Sequence, residues 1–136
     1  MQKTYKELQE IDEVVAAIYQ RNPEARKGKF GYAYNRFYSK NVRPILEEIA
    51  EKITDIRVEN AMVDEKTKEL VYDSTNGQKL YKYTKEGMIK MLSEQRKINK
   101  EYDEKKVEII PFITKDIPED IMEEEKEALK GCLING

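Results

Sequence analysis

The chain has 136 residues, of which 39% are hydrophobic and 38% charged, and its formal net charge is −2. This length suits a single domain spanning 1–136 with one modest core, and the apolar content is too high for a disordered chain. No apolar run approaches the roughly eighteen residues of a membrane span, and the N-terminal stretch is charged, so we expect a cytoplasmic protein with no membrane partner.

The first predicted element is a helix over about residues 4–21. Thr4 followed by Glu7 forms the pattern of a capping box, in which each side chain satisfies a backbone N–H of the first turn. Apolar residues then recur at helical spacing, at Leu8, Ile11, Val14, Val15 and Ile18. The sequence therefore predicts an amphipathic helix with one buried face.

A second, longer helix is predicted after Asn22-Pro23 and Gly28. Its apolar positions are Tyr32, Phe37, Leu46, Ile49, Ala50, Ile53 and Ile56. Pro44 leaves two alternatives open, because a proline disfavours helical angles at the preceding residue. The helix either breaks near Val42-Arg43 or continues as one rod bent at that point.

Residues 69–83 are predicted to form a β-hairpin. Asn76-Gly77 is the favoured pair for a tight turn and separates two runs rich in Leu, Val and Tyr. Counting outward from the turn pairs Thr75 with Gln78, Tyr72 with Tyr81 and Leu70 with Tyr83. This register places Leu70, Tyr72, Tyr81 and Tyr83 on one face, which we expect to be buried against a helix.

Three further elements complete the predicted fold. A third helix begins just after Thr84 and extends to about Glu104, with inward positions at Met88, Met91, Leu92, Gln95 and Tyr102. A short strand at about 106–110 is a candidate third strand of the hairpin sheet. Pro118 suits the first turn of an acidic last helix, about 117–130, at the periphery of the domain. The predicted fold class is α+β and mainly helical, with three or four helices on a small antiparallel sheet.

Basic and aromatic residues are interleaved between residues 21 and 43, where Glu24 is the single acid. The candidate interaction residues are Arg26, Lys27, Lys29, Arg36, Lys40, Arg43, Tyr34 and Tyr38. Cationic side chains neutralise phosphates and aromatic rings stack on bases, so this segment is a candidate for nucleic-acid binding. Under the alternative interpretation Tyr32, Phe37 and Tyr34 belong to the core, and the cations bind an acidic partner or the chain's own acidic end.

That acidic end lies between Asp116 and Glu127 and contains one lysine, Lys126. The candidate acidic surface consists of Glu119, Asp120, Glu123, Glu124 and Glu127. A block of like charge is typical of a solvated face or of a surface that binds a partner.

Catalytic and metal-binding patterns are missing from the sequence. The chain has no histidine, which removes the commonest general base and the commonest zinc ligand, and its single cysteine, Cys132, has no basic neighbour that would activate it. Gly28 and Gly31 lack the spacing of a phosphate-binding loop, and residues 64–69 lack the glycine of a calcium loop. We expect no enzymatic activity, no metal and no cofactor.

In the order of its predicted parts the chain resembles small uncharacterised proteins encoded in bacteriophage genomes. The likeness rests on the capped first helix, the long helix near Ala33-Tyr34-Asn35-Arg36-Phe37, the 73–77 turn and the Lys106–Phe112 segment. It implies the cytosol of a bacterial host and a protein that acts in particle assembly or by binding a host protein. We therefore expect a non-enzymatic protein-interaction module, with nucleic-acid binding by residues 21–43 as the alternative.

Overall fold

The computed structural model describes residues 1–75 and 78–135. The mainly helical α+β class is confirmed, because the helices are accompanied by two small antiparallel two-stranded sheets. The chain divides into two units, Met1–Leu46 with Tyr102–Gly136, and Glu47–Glu101.

The first unit begins with strand β1 (Gln2–Thr4) and helix α1 (Tyr5–Arg21). The capping box is confirmed, since the Glu7 N–H donates to Thr4 Oγ1 at 3.1 Å and the Thr4 N–H donates to Glu7 Oε1 at 3.0 Å. The buried positions of α1 follow the predicted spacing and include Leu8, Val15 and Ile18.

The chain is helical from Lys29 to Asn60 without a break, in three parts. Helix α2 (Lys29–Phe37) is followed by a π-helical turn (Tyr38–Val42) and then by α3 (Arg43–Asn60). Pro44 explains the wider turn, because in an α-helix its ring would clash with the carbonyl of Lys40. The Arg43 N–H instead donates to the carbonyl of Tyr38, five residues earlier. Of the two alternatives at Pro44, the continuous helix is the observed one.

Strand β4 (Lys106–Glu108) is present, but its predicted partner was wrong. It pairs antiparallel with β1, with Val107 opposite Lys3, and not with the hairpin. The hairpin is extended instead by Met62, whose carbonyl accepts from the Val71 N–H and whose N–H donates to the Lys82 carbonyl.

The hairpin itself lies in the second unit and consists of β2 (Tyr72–Thr75) and β3 (Gln78–Tyr81). The predicted pairing of Tyr72 with Tyr81 and of Thr75 with Gln78 is confirmed, whereas the Asn76-Gly77 turn lies outside the described residues. Leu70 does not pair with Tyr83, because it bridges Val63 instead.

The predicted burial of the hairpin face was wrong. Tyr72 is 41% exposed, and Leu70, Tyr81 and Tyr83 are half-buried. The rings of Tyr72 and Tyr81 stack on each other with centroids 5.4 Å apart, and Lys79 Nζ lies 4.0 Å from the Tyr72 centroid. The two rings shield each other at the surface and do not enter a core.

Helix α4 (Lys85–Glu104) matches its predicted bounds. Met91 and Tyr102 are buried, as predicted, but Met88 and Leu92 are exposed. Leu92 lies about 100° round the helix from Met91, so both cannot face the same core.

Helix α5 (Glu123–Leu129) is shorter than the predicted 117–130. Pro118 lies in a turn, in which the Ile121 N–H donates to the Pro118 carbonyl, and Met122 ahead of the helix is extended. Within its unit α5 buries Glu125 and Leu129, and Cys132 and Leu133, which follow the helix, are fully buried. The three hydrophobic residues among these share the core of the first unit with Leu8, Ile18 and Phe37.

Candidate interaction surface

One face of α2 gathers two cations and an exposed aromatic ring. Lys29, Tyr32, Ala33 and Arg36 follow the spacing of residues on one helical face. No Asp or Glu occurs between Ala25 and Leu46, so the basic character of this stretch is not offset by acids of its own.

Three of the predicted arginines lie over aromatic rings. The guanidinium carbon of Arg26 is 5.0 Å from the Tyr19 centroid, that of Arg36 is 5.4 Å from Phe112, and that of Arg43 is 5.8 Å from Tyr38. Stacking holds the plane of a guanidinium and leaves its N–H edge able to donate to a carboxylate or a phosphate. All three arginines are exposed.

The predicted lysines Lys27, Lys29 and Lys40 are exposed as well. Lys27 pairs with Glu24 at 3.4 Å, and Lys29 pairs with Asp116 at 3.8 Å. The Lys29 side chain is still 84% exposed in that pair, so it remains open to other anions.

Two of the aromatic predictions require correction. Tyr34, a candidate interaction residue that the alternative interpretation placed in the core, is only 7% exposed, and its hydroxyl donates to Asp12 Oδ1. Burial raises the pKa of the Tyr34 hydroxyl, and the hydrogen bond to Asp12 raises it further. Tyr32, which the alternative interpretation placed in the core, is 68% exposed. The two residues are about 200° apart around the helix, so burying one exposes the other. Tyr38 is half-buried.

A groove of about 490 Å³ runs along this face of α2. We call it the α2 groove and define it by Lys29, Tyr32, Ala33, Arg36, Phe112, Ile113 and Thr114. Its second wall is held by the C-terminal segment, because the N–H groups of Phe112 and Thr114 donate to the carbonyls of Cys132 and Leu133 at 2.9 and 2.8 Å.

Asn41, in the π-helical turn, holds the beginning of that wall. Its Nδ2 donates to the Ile110 carbonyl at 2.8 Å, and its Oδ1 accepts from the Ile110 N–H at 2.6 Å. Nδ2 also donates to the Phe37 carbonyl at 3.0 Å, and Asn41 is only 6% exposed. The Asn41 side-chain amide therefore binds both backbone groups of Ile110, as a neighbouring β-strand would. The role of Asn41 was not predicted from the sequence. Its position shortly before Pro44 was the one sequence feature that could have indicated it.

The basic and acidic segments meet at Arg21 and Glu125. Arg21 Nη1 donates to Glu125 Oε2 at 2.9 Å and Nη2 donates to Oε1 at 2.6 Å, the bidentate geometry of a strong ion pair. The hydrogen bonds from Arg21 hold the pKa of Glu125 below its usual range, although burial acts in the opposite direction. Glu125 is only 5% exposed and also accepts from the Met122 N–H.

The predicted acidic surface is only partly involved in this contact. Asp120 Oδ2 lies 3.6 Å from Arg21 Nε, and Glu123 and Glu127 pair locally with Lys126 and Lys130. The five predicted acids, Glu119, Asp120, Glu123, Glu124 and Glu127, are all exposed. Glu125 belonged to the acidic run but was not selected as a candidate, since no local signal distinguishes it from its neighbours.

A smaller pocket of about 320 Å³ lies between α1 and α2, lined in part by Asp12, Tyr19, Arg26 and Tyr34. The Tyr19 hydroxyl there is buried and has no hydrogen-bond partner among the described residues. In the same part of the chain, no group of three or more His, Cys, Asp or Glu side chains is placed to hold a metal ion. No helix found within residues 1–75 and 78–135 is long and apolar enough to cross a membrane.

No family model, curated protein or solved structure matches this chain.

Proposed function

We propose that the protein is a non-enzymatic interaction module that binds an acidic protein partner at the α2 groove. In keeping with the phage resemblance, the proposed setting is the cytosol of a bacterial host, and the proposed role is in particle assembly or in binding a host protein. The carrying observation is the combination, in one groove, of exposed apolar surface with two exposed cations, Lys29 and Arg36.

Exposed apolar residues also occur along the chain on both sides of the groove wall. Tyr32 is 68% exposed, Ile110 55%, Ile113 41% and Ile117 39%. Exposed apolar residues that cluster and are bordered by polar groups are typical of protein-binding sites. Tyrosine and arginine are also the residue types that contribute most often to binding energy at such sites.

The charge of the surface favours an acidic partner. Lys29 and Arg36 lie at the two ends of the face, and the opposite wall, Phe112 to Thr114, carries no charge. Asp116 pairs with Lys29 at 3.8 Å but leaves the Lys29 side chain 84% exposed. Complementary potentials raise association rates and select partners more than they stabilise the fold.

The test is affinity capture from a bacterial lysate with four forms of the protein. We expect the wild type to retain a partner that Arg36→Glu and Tyr32→Ala lose. Arg96→Glu, which reverses an exposed arginine on α4, is the matched control and should retain the partner. Capture of the same proteins by all four forms would refute the proposal.

Nucleic-acid binding is the second candidate, and the exposure of Tyr32 between Lys29 and Arg36 favours it. An open ring between two cations is the arrangement on which a base stacks while phosphates are neutralised. The overall charge of −2 argues against it, because nucleic-acid-binding domains are usually basic.

A further inference from the structure

We propose that the α2 groove binds an extended acidic peptide, which adds to the outer edge of residues 112–115 and inserts apolar side chains between Lys29 and Arg36. This inference deepens the proposed function and rests on it. It specifies the conformation of the partner and the backbone groups that recognise it.

The first argument is the unused edge of the groove wall. The N–H groups of Phe112 and Thr114 both donate to the C-terminal segment. In an extended chain every second N–H group points to the same side, so the N–H groups of the residues in between point to the opposite side. In the described part of the chain, the N–H groups of Ile113 and Lys115 have no hydrogen-bond acceptor. Both residues are exposed, so this edge is open to a further extended strand.

The second argument is the spacing of the cations. Lys29 and Arg36 are seven positions apart on α2, which corresponds to roughly 10 Å along a helix axis. An extended peptide covers that distance in about three residues. Carboxylates three or four positions apart, with apolar side chains between them, therefore match the two cations, because the long lysine and arginine side chains cover the remaining difference.

The third argument is the chemistry between the cations. Tyr32, Phe112 and Ile113 provide apolar surface there, and the Arg36 guanidinium is held over the Phe112 ring. A guanidinium oriented in this way can form a bidentate contact with a carboxylate, which discriminates acidic from basic peptides.

The probe is the acetylated peptide Glu-Glu-Leu-Thr-Leu-Glu-Glu, titrated into isotope-labelled protein and followed by NMR. We expect a dissociation constant tighter than about 1 mM, with shifts centred on the amides of Tyr32, Ile113 and Lys115. Arg36→Glu should weaken binding about tenfold or more, and Arg96→Glu should leave the affinity unchanged. The same peptide with Lys in place of Glu should not bind.

A backbone variant tests the mode of binding. Ile113→Pro removes an N–H that the fold does not use, so the protein should remain folded while losing the peptide. Ile113→Ala keeps the N–H and should lose less affinity than the proline variant. Equal affinities for the proline and alanine variants would overturn strand addition.

Three other outcomes also overturn the inference. These are no shift at about 1 mM peptide, equal binding of the lysine peptide, and concentration-dependent shifts of the same amides without peptide, which would identify a second copy as the occupant. Lysate capture that depends on Arg36 without any peptide binding would refute the inference and leave the proposed function standing. Peptide binding together with capture indifferent to Arg36 would support the inference and refute the proposed cellular partner.

Discussion

Arg21 and Glu125 are 104 positions apart in the sequence, yet their side chains share two hydrogen bonds of 2.9 and 2.6 Å. The contact joins the end of α1 to the first turn of α5. It also shows that part of the basic segment is neutralised within the chain, by the acidic end. On α2, Lys29 also pairs with an acid of that end, Asp116, but stays 84% exposed, and Arg36 is exposed as well, so both can still bind an outside partner.

Removing the Glu125 carboxylate should destabilise the protein. Glu125→Ala leaves Arg21 without its bidentate partner and the Met122 N–H without an acceptor. Arg21 is one-third exposed, so solvent screens part of the attraction. We expect a fall in melting temperature on the order of 5 °C by thermal denaturation. Glu124→Gln, a change at the exposed neighbour, should shift it by less than about 1 °C, and equal shifts for the two variants would contradict the assignment.

The same pair predicts how stability depends on pH. The pKa of Glu125 is lowered from 4.5 in the folded protein, so above pH 4.5 its carboxylate is ionised in both states and its stabilisation is complete. As the pH falls from about 4.5 towards the lowered folded pKa, the unfolded state takes up the proton first, and the stabilisation from Glu125 is lost over this range. The free energy of unfolding, followed by urea titration from pH 6 to about pH 3, should fall less steeply for Glu125→Gln than for the wild type. Identical slopes would show that Glu125 does not contribute.

Asn41→Ala should cost about 2 kcal/mol, because it leaves the N–H and the carbonyl of Ile110 without partners. Asn41→Asp should cost at least as much, since a carboxylate cannot donate to the Ile110 carbonyl. Asn35→Ala, at an exposed position of α2, is the matched control and should change stability by less than about 0.5 kcal/mol. Chemical denaturation measures all three, and a neutral Asn41→Ala would exclude this role.

Tyr81 and Phe37 should respond very differently to truncation. Tyr81 is half-buried and stacks on one ring, so Tyr81→Ala should cost about 1 kcal/mol. Phe37 is fully buried, and Phe37→Ala should cost about 4 kcal/mol. Unfolding in urea measures both changes. A loss for Tyr81→Ala as large as that for Phe37→Ala would mean that the hairpin face is covered after all.

Salt dependence separates the two candidate functions. Binding to phosphates releases counterions and weakens steeply with ionic strength. We expect no measurable affinity for a random single strand or duplex near physiological salt, by fluorescence anisotropy. Affinity at about 1 μM or tighter there, lost in Lys29→Gln and Arg36→Gln variants, would rank nucleic-acid binding first.

Features whose partners are close in sequence could be predicted from the sequence by itself. The capping box joins Thr4 to Glu7, and the hairpin register pairs Tyr72 with Tyr81 across a short connection. The repeat of the α-helix likewise placed Leu8, Val15 and Ile18 on one buried face. Hydrogen bonds of this kind, and the helical spacing of buried residues, involve positions only a few residues apart, so the local sequence determines them.

Only the tertiary structure decided which of many similar residues meet over long distances. Seven acids lie between Asp116 and Glu127, and nothing local marks Glu125 as the partner of Arg21. The same holds for β4, which pairs with β1, and for Asn41, which binds Ile110. The α2 groove also depends on the path of the chain, because its walls are about 80 residues apart in the sequence. Pairings of this range depend on how the helices pack, and packing is a property of the whole core.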